Sequence, residues 1–148
     1  MLSSAHAKNI IHCDIKPQNV VYSPSGEQII GVLAVIDWGL AVGPGVEKRG
    51  LYSGTPAFMS VSCLSGSGEF ILEKVLAQTD DSPAEPHVMD DIESLLYLIE
   101  FLRKADLPWG WPSIPEDVSY EDLKEEKECY SPEELPLQEF LVYARDQR

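Results

Sequence analysis

Apolar and polar positions divide the chain into a β-like first third and a helical remainder. Ile10-Ile11, Asn19 to Tyr22 and Val32 to Ile36 are short apolar runs rich in β-branched residues, and Pro24-Ser25-Gly26 and Gly43-Pro44-Gly45 punctuate them as turns. Further on the period lengthens. Ile92, Leu95, Leu96, Leu98, Ile99 and Leu102 recur at helical spacing and predict a helix over Asp91 to Lys104. Helices are also expected over Glu69 to Gln78, Tyr120 to Cys129 and Pro132 to Arg145. Residues 79–86 form a polar linker, and Leu107 to Pro115, with three prolines and two tryptophans, must be extended or turned. Strands come first and helices after, without regular alternation, which predicts the α+β class.

Composition bounds the function classes. The chain has 148 residues, room for one domain, and 44% are hydrophobic, which argues against overall disorder. Its net charge of −14 offers no basic face, so neither nucleic acid nor an anionic membrane is an expected partner. The acids cluster in residues 80–93 and 116–134, read here as solvated helix faces and linkers. The apolar run Ile29 to Ile36 is too short to span a bilayer, and the first twelve residues do not resemble a leader. Cys13, Cys63 and Cys129 suggest neither a disulfide framework nor a CxxC site. A cytoplasmic or nuclear location is therefore expected.

One stretch carries candidate chemistry: His12-Cys13-Asp14-Ile15-Lys16-Pro17-Gln18-Asn19. Phosphoryl transfer to a hydroxyl needs a carboxylate to orient the nucleophile, a cation at the transferred phosphate and oxygen ligands for Mg²⁺. Asp14, Lys16 and Asn19 supply those three types within six residues. Asp37, after the strand-like run and before Trp38-Gly39, offers a second carboxylate for the metal.

These motifs resemble the catalytic loop and the D-F-G triplet of protein kinases. Gly54-Thr55-Pro56 and the helix opening with Asp91 follow in the matching order. The resemblance implies Asp14 as catalytic base, Lys16 at the γ-phosphate, and Asn19 and Asp37 holding Mg²⁺. Val21 would floor the adenine of ATP, Thr55 would brace the catalytic loop, and a buried Asp91 would hold that loop's backbone. His12 is expected to be structural, Cys13 a small replacement rather than a nucleophile, and Trp109 and Trp111 packing anchors. Phe58-Met59-Ser60-Val61-Ser62, Asp90-Asp91-Ile92-Glu93-Ser94-Leu95 and Leu107-Pro108-Trp109 narrow the resemblance to the casein kinase 1 and vaccinia-related kinase group. The fungal-type kinases are the nearest competitor.

The resemblance covers residues 1–148 as a partial kinase domain, from the end of helix E through helix H, with an insertion at about 66–87. It implies a C-terminal lobe without the N-terminal lobe. No Gly-rich phosphate loop, ATP-anchoring lysine or partner glutamate precedes His12. The function implied is ATP-dependent phosphorylation of protein Ser or Thr, in a chain expected to be truncated and inactive by itself. A non-catalytic, pseudokinase-like interaction module is the alternative, with a partner covering the exposed lobe face. Cys13 replaces the arginine that reads an activation-loop phosphate, which argues against switching by that route. The apolar face of helix 91–104 is expected to lie partly uncovered.

Overall fold

The chain enters through a one-turn helix, α1 (Leu2–His6), and a tight turn that leaves Asn9 in the left-handed region at φ 54°. The computed structural model describes residues 2–24, 31–45, 54–65, 85–110 and 118–148. After α1, Ile11 makes a single antiparallel bridge to Val42 instead of the strand expected at Ile10-Ile11. A 3-10 turn (Pro17–Asn19) follows, begun by a proline whose missing N–H is not needed there. It leads into the hairpin strands β1 (Val20–Pro24) and β2 (Gly31–Val35), which pair antiparallel from Val20↔Val35 to Pro24↔Gly31.

The rest is helical: α2 (Val61–Ser65), α3 (Val88–Lys104), α4 (Tyr120–Cys129) and α5 (Leu135–Asp146). The small two-stranded sheet beside a larger helical body gives the α+β architecture expected. Helix α3 starts one turn before Asp91 because His87 and Asp90 cap it reciprocally. His87 Nδ1 accepts the Met89 N–H at 3.3 Å, and the Asp90 carboxylate accepts the His87 N–H at 2.7 Å. Ala105, left-handed at φ 58°, ends it. Ser119 and Asp122 form the equivalent box on α4. Pro132 stays outside α5, which starts at Leu135. The short α2 was not expected; Ser60 caps it, its Oγ accepting the Cys63 N–H at 3.0 Å. The helix expected at Glu69 to Gln78 lies outside the described residues, as do Trp111 and most of the 79–86 linker.

The core gathers Ile15, Phe58, Leu64, Leu96, Tyr97, Leu98, Leu107, Trp109, Leu123 and Leu141 around α3, with α2 packed on α4 and α3 on α5. Burying each large side chain contributes about 1.5–3 kcal/mol. Of the apolar α3 face, Leu96 and Leu98 are buried, Ile92, Leu95 and Ile99 are half-buried, and Leu102 is exposed. The turn through Phe58, together with Leu141 of α5, packs in the same cluster as the buried part of that face. Among the described residues, no helix is long and apolar enough to cross a membrane.

Candidate active site

Two segments meet at Asp14, its own loop and the turn that carries Thr55. The loop from Ile11 to Asn19 supplies it, buried at 8% exposure. Its Oδ1 accepts the Thr55 hydroxyl at 2.8 Å; its Oδ2 accepts the Asn19 amide at 3.0 Å and lies 2.8 Å from Lys16 Nζ. Lys16 Nζ also donates to Thr55 Oγ1 at 2.9 Å. Burial pushes the Asp14 carboxyl upward, but hydrogen bonds from Lys16 and Thr55, the Lys16 charge and the Asn19 amide hold it below the ordinary 3.8. A charged, oriented carboxylate beside a lysine is the result.

The loop hangs on α3. Asp91, 1% exposed, accepts the backbone N–H groups of His12 at 2.7 Å and Cys13 at 3.0 Å. His6 Nε2 reaches the same carboxylate at 2.8 Å. Three donors satisfy a buried charge that would otherwise be costly. His6 was missed in the sequence, where an isolated histidine on a one-turn helix gives no signal. His12 is fully buried, stacks edge-on against Trp38 at 4.7 Å, and bridges Asp14 N–H and the Ile36 carbonyl with its two ring nitrogens. The tautomer protonated at Nε2 satisfies both bonds.

Within this loop Cys13 sits at φ 66°, a strained region for a non-glycine residue. Burial, then the Asp91 and Asp90 charges, push its thiol up to about 12, so it stays protonated. Gly54 lies against this loop, where a Cβ would stand 2.6 Å from the Cys13 carbonyl oxygen. Only glycine allows Thr55 so close to Asp14.

Asn19 donates both amide hydrogens, to the Asp14 carbonyl at 2.9 Å and to its carboxylate. Its carbonyl oxygen is thus the end left for a cation, the hard ligand that Mg²⁺ prefers. Asp37 is exposed, left-handed at φ 60°, and its Oδ1 accepts the Gly39 N–H at 3.3 Å. No bond among the described residues ties Asp37 to Asn19. One carbonyl and one exposed carboxylate suit Mg²⁺ carried in on phosphates, which keeps most of its other ligands, and suit a dedicated protein cage poorly. Val21, on β1, presents a 40% exposed side chain, beside exposed Tyr22 and Leu33 of the hairpin.

No family model matches the chain. It is similar to casein kinase I homolog 3 of Schizosaccharomyces pombe, 25% identical over 98% of this chain and 33% of the relative. It is also similar to cyclin-dependent kinase 20 of Homo sapiens, 29% identical over 97% of this chain and 46% of the relative. A shorter match, 34% identical over 45% of this chain and 13% of the relative, is to serine/threonine-protein kinase pkn3 of Myxococcus xanthus. The chain spans between a third and a half of the length of the first two. Each of the three is, by name, a kinase.

Proposed function

We propose that this chain, a relative of the protein kinases, carries the catalytic-loop half of a Ser/Thr protein kinase site, built on a kinase C-terminal lobe. The observation that carries this reading is the closed set of bonds joining Asp14, Lys16, Thr55 and Asn19. ATP with Mg²⁺ would supply the phosphoryl group and neutralise its charge. Asp14 accepts the hydroxyl hydrogen of the substrate and orients its oxygen toward the phosphorus. Its low basicity makes orientation the larger part of that role, with proton acceptance following as the oxygen loses its hydrogen. Lys16 turns from Asp14 toward the transferred phosphoryl oxygens, while Thr55 keeps the carboxylate in place. Asn19 and Asp37 would hold the Mg²⁺, and Val21 would lie under the adenine.

These residues include no Gly-rich loop and no anchoring lysine, and transfer depends almost wholly on positioning and charge. The 148-residue polypeptide by itself is therefore expected to transfer phosphate at least about 10³-fold more slowly than a two-lobed kinase. The test is radiolabelled ATP with Mg²⁺ and a mixed protein substrate, for the chain alone and fused behind the N-terminal half of a related kinase. Activity confined to the fusion and lost with Asp14→Asn supports the reading. A fusion equally active with Asp14→Asn overturns it.

A non-catalytic interaction module is the second reading, favoured by the exposed apolar side chains Val21, Tyr22, Leu33, Ile36, Trp38 and Leu40 on one part of the chain. Its partner would cover that surface. Mg²⁺-dependent nucleotide binding separates the two, since an interaction module has no need of it.

A further inference from the structure

A lysine lies where the sequence pattern led us to expect solvent. Lys127 belongs to the acidic stretch 116–134, yet it is 0% exposed. Its Nζ donates to the Pro56 carbonyl at 2.7 Å and to the Met59 carbonyl at 2.6 Å. The same nitrogen faces the rings of Tyr97 at 4.7 Å and Trp109 at 4.9 Å. Trp109 in turn donates its indole N–H to the Ala57 carbonyl at 2.8 Å. The turn that begins at Thr55 is closed inside by Phe58 and Met59 N–H bonds to the Thr55 carbonyl, at 2.8 and 3.0 Å. Its outward carbonyls at Pro56, Ala57 and Met59 are thus all held by side chains from the helical body.

We propose that Lys127 is a positioning residue: by gripping the Pro56 and Met59 carbonyls it fixes the turn that sets Thr55 Oγ1 against Asp14 and Lys16. Packing alone would be served by methionine or leucine at this depth. A buried amine costs desolvation, and burial holds this one well below its ordinary range, partly countered by the Glu93 charge. The amine is nevertheless aimed at the two carbonyls on either side of the turn. The other end of the strut is fixed as well, because Arg145 donates to the Lys127 carbonyl at 2.7 Å while paired with Glu93. Lys127 therefore links the α3–α4–α5 body to a hydroxyl that touches the candidate base. Its importance for phosphoryl transfer rests on the function proposed above; the positioning itself does not.

The test reads the Asp14 carboxyl by carbon NMR titration of the 148-residue protein, with no nucleotide. Lys127→Met is expected to move the Asp14 midpoint upward toward the ordinary 3.8, as Thr55 drifts and its hydrogen bond weakens. The Phe58 and Met59 amides should exchange about tenfold faster. Thr55→Val should raise the midpoint in the same direction, and adding Lys127→Met to it should raise it no further. Lys124→Met, one turn back on α4, should leave it in place. An unchanged midpoint in folded Lys127→Met, an additive double variant, or an equal shift in Lys124→Met overturns the proposal. If Lys127→Met does not fold, Lys127→Gln, which keeps a donor, should show a smaller rise, and no rise there overturns the proposal equally. Failure of the kinase assay leaves this titration readable, so the two ideas fall separately.

Discussion

Asp14 stays charged because neighbouring donors outweigh its burial, and this makes a signed prediction. Its folded value lies below its unfolded one, so the stability it contributes is complete above the unfolded value and is lost as pH falls through the folded one. Chemical unfolding at about pH 6 and about pH 3 should show a larger acid loss for the native chain than for Asp14→Asn. Cys13 runs the other way. With its thiol pushed up to about 12 it should alkylate roughly 10²–10³-fold more slowly at about pH 8 than exposed Cys129, as read by mass spectrometry of the intact and digested protein. Fast labelling of Cys13 in the folded chain would contradict this geometry. At this scale the sequence was informative where spacing mattered: Asp14, Lys16 and Asn19 lie within six residues and meet in space. It was silent on His6 and misleading on Lys127, because burial by distant segments leaves no local mark.

Elements were legible wherever caps and periodicity agree. Helix α4 runs over Tyr120–Cys129 as predicted, because Ser119 and Asp122 fix its start. Ser119→Ala should cost about 1 kcal/mol and speed amide exchange in the first turn of α4, with little effect at Asp14. The start of α3 was read too late because its cap is a histidine, outside the usual Ser, Thr, Asp and Asn. The turn from Gly54 to Ser60 has no periodicity at all, and its conformation is set by contacts. Gly54→Ala must push against the Cys13 carbonyl oxygen 2.6 Å away, so it should cost about 1–3 kcal/mol and separate Thr55 from Asp14. Thermal unfolding with the Asp14 titration measures both effects.

Across the whole molecule, a buried polar cluster joins the helices beneath the site. Glu93 accepts the Tyr97 hydroxyl at 2.5 Å and Arg145 Nε at 3.1 Å, and Arg145 also reaches Tyr97 and the Lys127 backbone. Arg145→Met removes one partner and leaves Glu93 charged and buried, so it should cost about 3–5 kcal/mol in denaturant unfolding. Replacing Glu93 and Arg145 together should cost less than Arg145→Met alone, since no unpaired charge remains. Retention of full stability by Arg145→Met would show that the cluster ties nothing together.

The sequence by itself determined the α+β class, the helices with strong periodicity and caps, and the polar set at residues 14–19, because each depends on neighbours in the chain. The tertiary structure decided what those residues touch. It brought Asp91 under the loop from 78 residues away, set Thr55 on Asp14 across 41, and sank Lys127 beneath the Thr55 turn. Contacts between distant segments follow from how whole elements pack, and the physical reason is that burial and hydrogen-bond partnership belong to the packed assembly rather than to any stretch of it.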